Sequence, residues 1–270
     1  GLPVHEVWLA TLVPGILVAT AYILYNRIFM AKYEIHDTSP FDAKKFFGGI
    51  AKTTPKGLVA LIMPLIIFVG VYGGIMTPTE AGAVAVLYGL IAGWILYPLF
   101  FKEKSVGNLW EISKKSLVTT ASICLLIAFS GIPSTLFTYG QVTKALTDAL
   151  LGISSSPIAF LIAVNVMLLF VGMFMETNTA ILLFAPILVP AAVAYGIDPI
   201  HFAAIMLLNL EMGMITPPMA SNIFVACKIS NLTMDKILAP ILKLWACCIP
   251  VLLATTFIPS LSLVIINLLR

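Results

Sequence analysis

The chain has 270 residues, of which 60% are hydrophobic and 10% charged, with a mean hydropathy of +1.07. A soluble domain carries about 25% charged residues, so the composition excludes a soluble globular fold and indicates an all-α, polytopic membrane protein in a lipid bilayer. The net charge of +3 is spread over short loops and offers no surface for nucleic acid.

Apolar segments run over 7–26, 57–76, 81–101, 117–137, 156–175, 180–195, 200–227 and 237–258. A membrane-crossing helix needs about 20 such residues. The first segment opens onto a loop, 27–56, that holds Arg27, Lys32, Lys44, Lys45, Lys52 and Lys56. Segments 57–76 and 81–101 meet at Gly74-Ile-Met-Thr-Pro-Thr-Glu-Ala81. There, Thr77 and Glu80 have the spacing of a capping box, and Pro78 takes the first helical position, where no backbone donor is lost. This break reads as a structural turn.

The next loop carries Lys102, Lys104, Lys114 and Lys115, whereas 138–155 holds only Lys144 and 196–199 no basic residue. Lys228, Lys236 and Lys243 flank the last segment. The positive-inside rule places the three Lys-rich regions in the cytoplasm. Segment 57–76 then runs outward, 81–101 returns, 117–137 runs outward, 156–195 dips in from the outer side, and 200–227 crosses inward.

Segments 156–175 and 180–195 are joined by Met175-Glu-Thr-Asn-Thr179. The short second arm favours a re-entrant hairpin over a spanning pair. A carboxylate at its inner turn is costly unless paired or hydrated. Glu176 is followed by Thr177, Asn178 and Thr179, whose oxygens suit a hard cation such as Na⁺. The alternative is a polar turn between ordinary spanning helices.

Segment 200–227 is interrupted by Asn209, Glu211, Gly213, Thr216, Pro217 and Pro218. Broken backbone at membrane depth is tolerated only where it is buried in protein or lines a cavity, and it marks ion and substrate sites in transporters. Thr216 is expected to cap a new helix, with Pro217 after it. Asn209, Gly213 and Thr216 fall at i, i+4 and i+7 on one helix face. Asn222 lies just past the break, and Glu211 is free for another contact. Polar side chains here could also serve as interhelical glue.

Glu6-Val-Trp-Leu-Ala10 resembles Asp235-Lys-Ile-Leu-Ala239, each leading into an apolar helix. The first helix ends in a basic loop and the second begins from one, so the two run in opposite directions, as in inverted-topology repeats. Residues 1–30 are then the last helix of repeat one, and the bulk of that repeat lies outside this sequence. Cys124, Cys227, Cys247 and Cys248 sit in apolar stretches with no metal-site spacing. No nucleophile–base pairing or metal-hydrolase motif is present, so no enzyme is expected.

Gly172-Met-Phe-Met-Glu-Thr-Asn-Thr-Ala180, Gly196-Ile-Asp-Pro199, Asn209-Leu-Glu-Met-Gly-Met-Ile-Thr-Pro-Pro218 and Gly74-Ile-Met-Thr-Pro-Thr-Glu-Ala81 resemble, in order, the large membrane subunit of tripartite ATP-independent periplasmic (TRAP) transporters. The family's subunit is longer, and the resemblance covers its later part. Ala220 stands where the family commonly has glycine. The resemblance implies a multi-pass protein of the bacterial inner membrane, one of two inverted repeats, with a re-entrant hairpin and a broken helix as in the ion-transporter superfamily. It implies Na⁺-driven secondary import of an organic acid, of sialic acid or C4-dicarboxylate type, by an elevator mechanism. A soluble periplasmic substrate-binding protein would deliver the acid, and a small membrane subunit would brace the scaffold.

On that basis 1–30 ends repeat one, 31–56 is a cytoplasmic connector and 57–155 holds scaffold and arm helices. Residues 156–227 form the transport domain, and 228–270 hold the last transmembrane helix and a tail. The expected Na⁺ ligands are carbonyls near Gly172, Gly213 and Ile215 and side-chain oxygens of Asn178 and Thr216. The expected substrate contacts are Glu176, Thr177, Asn209, Pro217, Pro218 and Asn222, with the helix start at Thr216-Pro-Pro218 facing a substrate carboxylate. Glu176 is expected to order the tip or to help a cation. The competing readings are a stand-alone Na⁺/organic-anion symporter or antiporter and a purely structural membrane subunit.

Overall fold

The computed structural model describes residues 2–29, 43–101, 107–141, 148, 156–217 and 221–269, and among these all regular structure is helical. The helices are α1 (Val4–Phe29), α2 (Ala43–Tyr72), α3 (Pro78–Ile91), a π-helical turn (Ala92–Leu96), α4 (Tyr97–Phe101), α5 (Leu109–Tyr139), α6 (Pro157–Phe174), α7 (Thr177–Ala194), α8 (Pro199–Gly213), α9 (Ser221–Ser230), α10 (Met234–Phe257) and α11 (Pro259–Leu269). Among the described residues seven helical runs are long and apolar enough to cross a membrane. Large apolar side chains such as Ile23, Leu61, Leu87 and Phe170 face outward, which carries no penalty where hydrocarbon is the solvent.

Packing divides the chain into two compact units, Ile35–Ser122 and Gly1–Glu34 with Ile123–Arg270. The boundary falls within α5. In the smaller unit, α2 and α3 are joined by the turn at 73–77. Gly74 takes φ +67°, a conformation that costs glycine little, and the Ile75 and Met76 amides both donate to the Gly70 carbonyl. The capping box forms: the Glu80 carboxylate accepts from the Thr77 amide at 2.7 Å, and the Glu80 amide donates to Thr77 Oγ1 at 3.3 Å. The Tyr88 hydroxyl donates to the Val59 carbonyl at 2.6 Å and ties α3 to α2.

The larger unit is built on α8. Helix α6 runs parallel to α8: Phe160 lies 6.1 Å from Phe202, Asn165 bonds Asn209, and Gly172 meets Gly213. Helix α7 runs antiparallel to both. Its end stacks on the start of α6 through Tyr195 and Phe160 at 4.6 Å, and its start reaches the end of α8. Leu168, Ala180, Ala191, Ile205 and Leu210 fill the space between the three helices. Lipid tails are as apolar as these side chains, so the packing is held by shape fit and hydrogen bonds rather than by the hydrophobic effect.

Helix α1 packs on the other side of α8. Ala10 lies with Ile200, Ala204 and Ile266, while Val18 and Tyr22 lie with Met212, Cys248 and Leu252. Thus α1 runs parallel to α8, and α10 runs antiparallel to both, the opposed directions that the loop charges require. The tail expected after 258 is a further helix: Pro259 begins α11, and its Ile266 and Leu263 pack against α1 and α8.

The second arm of the 156–195 hairpin is longer than the sequence suggests. Glu176 caps its start, so the helix begins at Thr177 rather than 180 and reaches 18 residues, equal to the first arm. At about 27 Å, its length no longer favours a re-entrant hairpin over a spanning pair. The Gly196-Ile-Asp-Pro199 quartet links α7 to α8 through local chemistry. Gly196 takes φ +76° and its amide donates to the Val193 carbonyl. Asp198 caps α8 by accepting from the Ile200 and His201 amides at 2.8 and 3.0 Å, with Pro199 at the first position.

Candidate functional site

The two breaks singled out by the sequence, 175–179 and 213–218, meet at one end of the α6–α7–α8 layer. Met175 and Glu176 are extended, so α6 stops and α7 starts two residues later. The Met175 amide still reaches the Val171 carbonyl. The carbonyls of Gly172, Met173 and Phe174 receive no backbone amide among the described residues, as the last turn of a helix requires.

Helix α8 stops alongside. A Cβ on Gly172 would lie 2.8 Å from the Leu210 carbonyl oxygen and 3.0 Å from the Gly213 Cα. A Cβ on Gly213 would lie 2.6 Å from the Gly172 Cα and 2.9 Å from the Leu169 carbonyl oxygen. The backbones of α6 and α8 touch at this point, which only glycine on both sides permits.

Electrostatics follow from that contact. A helix C-terminus carries about −0.5 of an elementary charge, so two side by side present about one negative charge. The N-terminus of α7 brings the opposite half-charge, but the Glu176 carboxylate covers it. Glu176 accepts from the Thr179 amide at 3.3 Å and from Asn178 Nδ2 at 2.7 Å. The Thr177 hydroxyl joins the two breaks: it donates to the Glu211 carboxylate at 3.1 Å and lies 2.9 Å from the sulfur of Met214. Free carbonyls of α6 and the carboxylates of Glu176 and Glu211 thus lie at this end of the layer, oxygen donors of the kind a hard cation takes. Among the described residues no group of three or more histidine, cysteine or acidic side chains could hold a metal ion.

The expected cation ligands are brought together unevenly. Gly172, Gly213, Ile215 and Thr216 share the closing turns of α6 and α8. Asn178 stays at the exposed tip with Glu176, and no hydrogen bond joins it to Thr216.

Thr216 closes α8: its hydroxyl donates to the Met212 carbonyl at 2.9 Å and its amide to the Gly213 carbonyl at 2.8 Å. A threonine hydroxyl reaches readily for the carbonyl four residues back, and an ended helix has carbonyls to offer. Thr216 and Pro217 are not helical, residues 218–220 lie outside the described residues, and α9 is described from Ser221.

The expected substrate contacts are dispersed. Glu176 is exposed and Thr177 buried at the tip, and Pro217 is half-buried past the end of α8. Asn222 is exposed at the start of α9, and Pro218 lies outside the described residues. Asn209 is fully buried between α6 and α8, where its Nδ2 donates to Asn165 Oδ1 at 2.8 Å and to the Ile205 carbonyl at 2.9 Å. Sequence reasoning passed over Asn165, Thr256 and the partner of Glu211. Asn165 carried a signal, being a lone amide in an apolar helix.

A family model described as "Tripartite ATP-independent periplasmic transporter, DctM component" matches residues 1–261. The chain is 34% identical over 264 residues to the isethionate TRAP transporter permease protein DctMQ of Oleidesulfovibrio alaskensis, covering 96% of this chain and 40% of that relative. It is 31% identical to the sialic acid TRAP transporter large permease protein SiaM of Vibrio cholerae, covering 97% and 60%. It is 30% identical to the C4-dicarboxylate TRAP transporter large permease protein DctM of Pseudomonas aeruginosa, covering 98% and 60%. The chain thus spans between 40% and 60% of the length of these relatives.

Proposed function

Because the chain belongs to the DctM component family of tripartite ATP-independent periplasmic transporters, we propose that it forms the later part of a permease that imports an organic acid across the bacterial inner membrane, driven by Na⁺. The relatives carry names for isethionate, sialic acid and C4-dicarboxylate transport; their common chemistry is a small organic anion. A periplasmic binding protein delivers the acid, and a small membrane subunit, fused or separate, completes the complex.

The observation that carries the Na⁺ reading is the convergence of two helix C-termini at the Gly172–Gly213 contact. Their combined partial charge of about −1 matches one monovalent cation. The ligands are carbonyls near Gly172, Gly213 and Ile215 and the Thr216 hydroxyl, which keeps lone pairs free while donating to Met212. Asn178 completes the set by a small movement of the exposed tip. The bound ion neutralises the carbonyl ends and draws the 175–179 tip onto α8. The acid is then placed beside the start of α7, with Thr177, and past the end of α8 at Pro217.

In the elevator reading, the 156–227 segment is the moving part. Its packing on α1, α10 and α11 makes those helices travel with it.

The test is uptake in proteoliposomes with the complete permease and its partners. Asn178→Ala and Thr216→Val each remove one oxygen ligand, which weakens binding by about 1–2 kcal/mol, on the order of tenfold. Both variants should raise the Na⁺ concentration for half-maximal uptake, while Thr79→Val at the α2–α3 turn should leave it unchanged. Loss of transport with a wild-type Na⁺ curve in both would remove these side chains from the ion site.

A further inference from the structure

Away from the breaks, three polar side chains are buried together where α6, α8 and α10 meet. Asn165 is 6% exposed, Asn209 0% and Thr256 1%. Asn165 Oδ1 accepts from Asn209 Nδ2 at 2.8 Å and from Thr256 Oγ1 at 3.1 Å, while Asn165 Nδ2 donates to the Leu161 carbonyl at 2.6 Å. One amide oxygen thus joins three helices.

The position of this knot relates it to the Gly172–Gly213 contact. Asn165 and Gly172 are seven residues apart on α6, and Asn209 and Gly213 four apart on α8; both spacings keep the pair on one helix face. The same two faces therefore carry a hydrogen bond at one level and a backbone contact at the next. A slip of one residue moves a helix by about 1.5 Å and turns it by about 100°, which breaks both together. Apolar contacts alone fix register weakly in lipid, whereas a buried amide pair specifies it.

We propose that Asn165, with Asn209 and Thr256, is a positioning element for the cation site: it holds α6, α8 and α10 at the one register in which the carbonyl ends at Gly172 and Gly213 converge. Asn209 then acts through α8 rather than on the substrate. This rests on the cation reading given above.

The decisive variant is Asn165→Leu/Asn209→Leu in the complete permease with its partners. Leucine matches asparagine in size, and removing both partners leaves no orphaned amide. Thr256, whose single hydroxyl proton is shared between Asn165 Oδ1 and the Leu252 carbonyl at 2.8 Å, then gives it to the carbonyl alone. The double variant should unfold near the wild-type temperature yet need roughly tenfold more Na⁺ for half-maximal uptake, the scale of loss seen when groups behind a metal's ligands are removed. Near-native stability with a wild-type Na⁺ curve would overturn the proposal. If the double variant does not accumulate in the membrane, Thr256→Val carries the test. It should raise the Na⁺ requirement in the same direction, and an unchanged curve would overturn the proposal. Wild-type uptake indifferent to Na⁺ would sink the cation reading itself; Na⁺-dependent wild type beside Na⁺-normal variants sinks only the positioning role.

Discussion

Replacing Gly172 by alanine tests the close approach of α6 and α8 most directly. The added Cβ would stand 2.8 Å from the Leu210 carbonyl oxygen, 3.0 Å from the Gly213 Cα and 3.1 Å from the Leu210 Cα. Comfortable separations for such atoms are about 3.5–4.0 Å, so the helices must part by about 0.5–1 Å. All three obstacles are backbone, and none can rotate aside. Overpacking of this kind costs about 1–3 kcal/mol, offset by about 1 kcal/mol from better helix propensity. The net loss of about 0–2 kcal/mol, centred near 1 kcal/mol, lowers the unfolding temperature by about 2–4 °C at that centre. The same parting exceeds the tolerance of about 0.5 Å within which a binding site keeps its geometry, so the Na⁺ requirement for uptake rises as well. Gly15→Ala is the control, because nothing lies within 4 Å of its new Cβ. Thermal unfolding of the purified protein and Na⁺-dependent uptake read the two effects. The reasoning fails if Gly172→Ala is as stable as Gly15→Ala and keeps the wild-type Na⁺ curve.

Two further outcomes are expected. Thr77→Ala removes the side-chain half of the α3 capping box and should cost about 1 kcal/mol of stability without moving the Na⁺ curve; a shifted curve would give that turn a part in the ion site. In a cysteine-free background, cysteines at Arg27 and Asp198 should react with an impermeant reagent from opposite sides of the membrane. Ala10 and Ile200 share one end of the parallel α1–α8 pair, and Arg27 lies about 26 Å further along α1. Labelling from the same side would refute the orientation.

What was legible in the sequence was whatever depends on neighbours along the chain. Thr77, Pro78 and Glu80 form a capping box by spacing alone, and the apolar lengths located nearly every helix. The two breaks were visible because glycine, proline and charge are conspicuous in apolar runs. What pairs across helices was not legible. Glu211 meets Thr177 from 34 positions away, and Thr256 meets Asn165 from 91; no periodicity encodes such partners. The closing bond of Thr216 to Met212 was not legible for a related reason. A threonine before proline serves equally to begin a helix or to close the preceding one, and the choice depends on whether the backbone ahead continues as helix. The end helix α11 was missed because the last apolar segment was closed at 258, and Pro259 at a first helical position opens a further helix.

The π-helical turn at Ala92–Leu96 has a different kind of consequence. A π turn accommodates one residue more than an α turn within a single bulge. The helix on either side keeps the phase it would have had without that residue. Pro78–Ile91 and Tyr97–Phe101 therefore present their faces as if the extra residue had never been inserted. This is the place in the span where the protein's length can change by one over evolutionary time without rotating anything. A deletion at Ala92–Leu96 would restore an ordinary α-helix. The same deletion between Pro78 and Ile91 would swing every later side chain by about 100°.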